Sequence, residues 1–150
     1  MSELRELYQQ VILDHNRKPR NFRRLASPTE GAEGYNPLCG DRVTVEIVRE
    51  DELIRDIGFQ GSGCAISRAS ASMMTANLKG KTVAEAEEVF ERFRAMLTES
   101  QPGEGALAQL GKLAVFAGVR EFPTRIKCAT LPWHTLHAAL AGKTEPVSTE

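Results

Sequence analysis

The segment RVTVEIVR, Arg42 to Arg49, alternates β-branched and polar residues with a period of two, and LIRDIGFQ resumes the extended pattern after the acidic turn Glu50, Asp51, Glu52. Such alternation marks half-buried strands, so the two segments form an antiparallel hairpin. Strands running in opposite directions bring the start of the first beside the end of the second. Cys39 lies just before the first strand and Cys64 just after the second, so two cysteines that are distant in the chain become neighbours.

Helices surround this hairpin. Leu4, Leu7, Tyr8, Val11 and Ile12 recur at helical spacing and predict an amphipathic helix over residues 3 to 15, which Pro19 keeps from running far. His15 ends that helix, where it interacts with the helix C-terminus or covers the core. The basic residues Arg17, Lys18, Arg20, Arg23 and Arg24 follow and read as a solvated connector, with a docking patch as the minority alternative. Gly61, Ser62 and Gly63 make a loop, after which Ala65 to Leu78 is rich in small and unbranched residues that suit a helix. Cys64 is then at a helix N-terminus, where unpaired backbone N–H groups and the helix dipole favour a thiolate.

Thr82 and Glu85 have the spacing of a capping box and open a helix through about Leu97, whose apolar face carries Val83, Ala86, Val89, Phe90, Phe93 and Leu97. TESQPGEG, Thr98 to Gly105, breaks it, and Ala106 to Phe116 is apolar enough for another helix. Pro123 precedes a final helix with Lys127 and Cys128 near its beginning, and Pro132 fits only in that helix's first turn, where its missing donor is not needed. Met73, Met74 and Trp133 read as packing residues. His134 and His137 read as partly exposed helix residues rather than ligands.

With 150 residues, 41% of them apolar, the chain is long enough for one domain with its own core. Nineteen basic side chains against twenty acidic ones leave no electrostatic footprint for nucleic acid or an anionic membrane. No run approaches the roughly 20 apolar residues of a membrane span, and MSELRELYQQ lacks a basic region followed by an apolar one, so a cytoplasmic protein is expected. In that reducing compartment Cys39, Cys64 and Cys128 are not expected to form structural disulfides. Buried small hydrophobes, reactive thiols and metal ligands remain open. Three thiols and Asp41 match a zinc shell in kind, since zinc takes thiolate sulfur and carboxylate oxygen in tetrahedral geometry. The spacing does not by itself bring Cys128 back to the hairpin.

LYQQVILDHNRKPRN, NPLCGD, GSGCAISRASASMM and RIKCATLPW occur in this order and span the chain. In these motifs it resembles the iron–sulfur cluster assembly proteins of the IscU-like (NifU N-terminal-like) superfamily, in particular the SufU type. Lys127 before the last cysteine, where the scaffold branch carries histidine, favours SufU, as do a helical insertion around residues 90–110 and the absence of an LPPVK segment. FRRL after Asn21, with Pro132 and His134, departs modestly from the family pattern.

The resemblance implies an α+β, IscU/SufE-like single domain over 1–150, a small antiparallel sheet covered by helices; residues 142–150 read as a flexible tail. It implies zinc held by Cys39, Asp41, Cys64 and Cys128, with Cys39 also accepting sulfur from a SufS-type, pyridoxal-phosphate-dependent cysteine desulfurase. A desulfurase histidine would take over a zinc position on docking and free the Cys39 thiolate, and the sulfur would pass to downstream cluster assembly proteins. Three thiolates and a carboxylate around one dication leave negative charge, so Arg125 and Lys127 are candidate helpers by charge or docking, an exposed solvated role being equally open. The alternatives are a scaffold for a nascent [2Fe–2S] cluster on the same cysteines and a noncatalytic zinc-stabilised desulfurase activator. No nucleotide-binding glycine pattern, Ser-His-Asp signature or nucleic-acid motif competes.

Overall fold

The computed structural model describes residues 2–37, 40–98, 110–143 and 145–148. Helix α1 (Ser2–Arg17) leads to strand β1 (Glu30–Asn36) and to the expected hairpin, β2 (Asp41–Glu50) and β3 (Leu53–Ser62). Helices α2 (Ala65–Leu78) and α3 (Val83–Thr98) follow, then a 3-10 segment (Gly111–Glu121), helix α4 (Pro123–Leu140) and the two-residue strand β4 (Val147–Ser148). The sheet order is β3-β2-β1-β4, antiparallel except for the parallel β1–β4 pair, so the expected antiparallel sheet is mixed at one edge. Among the described residues, no helix is long and apolar enough to cross a membrane.

Strand β1 was not foreseen, because EGAEGYN carries two glycines and little β-branching. Pairing with β2 and packing beneath α4 create it. A Cβ at Gly34 would collide with the Thr135 hydroxyl, so glycine here lets the helix rest on the strand. Val43, Val45, Ile47, Ile57 and Phe59 form the buried sheet face, which α2 and α4 cover. Trp133 stacks on Phe93 with centroids 4.5 Å apart, as expected of a packing residue. Its indole N–H donates to Ser70 Oγ at 3.0 Å, and that hydroxyl donates to the Ala129 carbonyl, so the buried polar atoms are satisfied.

The capping box is formed: the Glu85 N–H donates to Thr82 Oγ1 at 3.1 Å, and the Thr82 N–H donates to Glu85 Oε1 at 3.0 Å. The basic residues of the connector are exposed, and three of its arginines make ion pairs. Arg20 pairs with Asp14, Arg23 with Asp56 and Arg24 with Glu46. The outer edge of β3 is covered at two places, where the Phe59 N–H donates to the Asn21 carbonyl and the Ile54 N–H donates to the Lys81 carbonyl. His15 covers α2: Ser72 Oγ accepts from the Arg20 N–H at 2.8 Å and lies 2.7 Å from Nδ1.

Helix α4 corrects the expectation for Pro132. The helix begins at Pro123, so Cys128 lies in its second turn and Pro132 in its interior. Pro132 removes the N–H that would bond to the Cys128 carbonyl, yet nearly every α4 residue from Cys128 to Leu140 is buried. Packing overrides the local penalty. The helix expected over 106–116 is instead the 3-10 segment, with residues 106–109 outside the described ones, as are 99–105 of the expected insertion. In the expected tail, Val147 and Ser148 pair with Gly34 and Tyr35, while residues 144, 149 and 150 lie outside the described residues.

Candidate metal centre

Period-two alternation in β2 puts Asp41 on the same side as Val43, Val45 and Ile47, the side that faces the helices. Asn36 is its cross-strand partner, and the Gly40 N–H donates to the Asn36 carbonyl at 2.8 Å to close the turn between β1 and β2. Strands β1 and β2 therefore form a second hairpin. Cys39 lies outside the described residues, in the chain between Pro37 and Gly40.

Cys64 caps α2 as expected, its Sγ accepting from the Ser67 N–H at 3.5 Å. Its own N–H donates to Asp41 Oδ1 at 2.8 Å, while Asp41 Oδ2 stands 3.7 Å from Cys64 Sγ. One carboxylate oxygen is thus committed to the backbone and the other faces the thiol. Gly63 makes this possible, because a Cβ there would lie 2.5 Å from Asp41 Oδ1.

Cys128 is brought back to the hairpin by the packing of α4 on β1 and β2. The fully buried Asn36 donates through Nδ2 to Cys128 Sγ at 3.6 Å, and the sulfur is 3.7 Å from the Thr124 carbonyl. Asp41, Cys64 and Cys128 each offer a donor atom, and the three atoms lie within 4.8 Å of one another. Among the described residues this is the one such grouping of three or more His, Cys, Asp or Glu side chains.

The donor set fits zinc. Ligands of a tetrahedral zinc at about 2.0–2.3 Å stand roughly 3.5–3.8 Å apart, so little movement is required. Asp41 and Cys128 are 0% exposed, and among the described residues no basic side chain pairs with Asp41. Burying a carboxylate without a counter-ion is costly, and a bound cation removes that cost. Arg125 and Lys127 stand in the first turns of α4, ahead of Cys128; among the described residues neither side chain makes an ion pair. His137 bonds Glu87 and His134 packs edge-on against Phe90, and both are half-buried residues of α4. Sequence reasoning missed Asn36 and Gly63, because neither the strand holding Asn36 nor the close approach at Gly63 leaves a local signature.

A four-stranded sheet with helices on one face, carrying a carboxylate and cysteines at one end, defines the class. The chain belongs to the NifU-like N terminal domain family, whose model matches residues 7–129. It is 38% identical over 140 residues to the zinc-dependent sulfurtransferase SufU of Bacillus subtilis, covering 93% of each chain. It is also 38% identical over 140 residues to the iron–sulfur cluster assembly scaffold protein IscU of Streptococcus pyogenes, covering 93% of this chain and 86% of that one. The crystal structure of FiSufU from Fervidobacterium islandicum superposes with a TM-score of 0.81 at 34% identity, covering 87% of this chain and 94% of the other. A NifU-like N-terminal protein from Brucella abortus gives 0.81 at 26% identity, covering 90% and 92%.

Proposed function

We propose that the chain is a zinc-dependent sulfur acceptor of iron–sulfur cluster assembly, receiving sulfur on Cys39 from a pyridoxal-phosphate-dependent cysteine desulfurase. The observation that carries this reading is the convergence of the Asp41, Cys64 and Cys128 donor atoms within 4.8 Å. Cys39, two positions before Asp41, is the proposed fourth ligand. Likeness to the B. subtilis SufU favours zinc and sulfur transfer.

Zinc, when bound, holds its cysteines as thiolates at neutral pH. Cys64 and Cys128 retain the site, because one caps a helix and the other is fully buried in α4. Asp41 is a carboxylate among thiolates, the poorer match to a soft site and so the easier ligand to exchange. Cys39 as a thiolate attacks the outer sulfur of the desulfurase persulfide. The new S–S bond forms on Cys39 as the old one breaks, and the desulfurase cysteine leaves as its thiolate, so no outside oxidant or reductant is needed. Arg125 and Lys127 are proposed to offset the negative charge of the site or to orient the partner.

The zinc-loaded protein, mixed anaerobically with its desulfurase and free cysteine, should gain one sulfur atom on Cys39 by peptide mass spectrometry. Cysteine turnover with Cys39 unmodified under rapid quenching would remove direct transfer. The scaffold reading, favoured by likeness to the S. pyogenes IscU, would then lead if iron and sulfide give a coloured protein that passes its cluster to an acceptor.

A further inference from the structure

We infer that Asn36 is a positioning residue of the metal centre, its carboxamide N–H held on the Cys128 sulfur so that this thiolate stays a retained ligand and a weak nucleophile. The inference rests on the zinc-site reading above and extends it to a residue that is not itself a ligand.

The placement is specific. Asn36 ends β1 directly across from Asp41, whereas Cys128 comes from α4, so the carboxamide joins the sheet corner of the site to its helix corner. Asn36 is 0% exposed, and a buried carboxamide must find partners for its donors and its acceptor. One of those partners is the sulfur, 3.6 Å from Nδ2. An apolar side chain of similar size would fill the same volume without that requirement, so the polar group is not explained by packing.

An N–H directed at a metal-bound thiolate spreads the negative charge of the sulfur, lowers its donor strength and fixes its orientation. Cys64 also accepts an N–H, but from the Ser67 backbone, which side-chain substitution does not remove. The bond to Cys128 comes from a side chain and is open to test. Its chemical effect is to separate the thiolates by reactivity, leaving Cys128 to hold the metal during transfer at Cys39.

Cobalt(II) serves as the probe, because its thiolate-to-metal absorption reports directly on sulfur donor strength. Asn36→Leu should move that band to lower energy, as the sulfur becomes the stronger donor, and weaken Co(II) binding about 10–100-fold by chelator competition, as the sulfur loses its fixed orientation, with far-UV circular dichroism unchanged. In a Cys128→Ala background the same substitution should change affinity less than about twofold, since its acceptor is gone. If Asn36→Leu does not fold, Asn36→Ala carries the same expectations. An unshifted band with unchanged affinity, or an equal loss of affinity without Cys128, overturns the role of Asn36 while leaving the metal centre standing. A native protein with no thiolate-to-cobalt band removes both.

Discussion

Gly63 approaches Asp41 so closely that a Cβ at residue 63 would lie 2.5 Å from Oδ1 and 3.0 Å from the carboxylate carbon. The loop ahead of α2 therefore sets where the carboxylate can point. Gly63→Ala should displace Asp41 and weaken zinc binding at least about tenfold, with about 1–3 kcal/mol of destabilisation from overpacking. Chelator competition and thermal unfolding measure the two effects separately. Unchanged zinc affinity would show that the contact does not position the ligand.

Metal removal should lower the melting temperature, since the site joins β2, α2 and α4 and is assembled only in the folded chain. Free zinc at about 100 times its dissociation constant contributes about 2.7 kcal/mol by mass action. Asp41→Ala and Cys64→Ala should each lower the melting temperature and make it less sensitive to chelator. A native melting curve that ignores both zinc and chelator would contradict the proposed centre.

Ser70 has a different role, holding the indole of Trp133 and the carbonyl of Ala129 at once. Ser70→Ala should destabilise the fold by about 1–3 kcal/mol, because it leaves a buried donor and a buried acceptor without their common partner. Zinc affinity should stay within about threefold, which separates core damage from damage to the site. Urea unfolding with tryptophan fluorescence reads the first quantity and chelator competition the second.

Acid sensitivity follows from His15. Burial and then Arg20 hold its proton affinity below the ordinary histidine value of 6.5, Asp14 opposing and Lys112 adding to the effect. The unfolded chain then binds the proton more readily than the folded one. The stabilisation tied to neutral His15 is full above that ordinary value and is lost as pH falls below it toward the lowered folded value. In zinc-free protein, unfolding midpoints from about pH 7.5 to about pH 5.5 should fall more for the native chain than for His15→Gln. Parallel slopes would exclude His15 as a source.

Local patterns carried much of the fold. The β2–β3 hairpin, α2 and the Thr82–Glu85 cap each have a signature within a few residues, and each formed where that signature placed it. Strand β1 and the interior Pro132 had none, because tertiary packing decides both. The candidate metal centre divides in the same way. Hairpin geometry alone brings residue 41 to Cys64, but Cys128 returns only through the seating of α4 on the sheet, with Gly34 giving the helix room at β1. Family resemblance supplied that last association before the structure did.

The covering of β3 by the chain near Asn21 and Lys81, together with β4 beside β1, has a consequence for how such a protein meets others. An open sheet edge is a template on which a second copy can add its own strand, the first step toward intermolecular aggregation. Here part of the β3 edge and part of the β1 edge already have partners from the same chain. At those positions the strand backbone is unavailable for addition of a strand from a second copy.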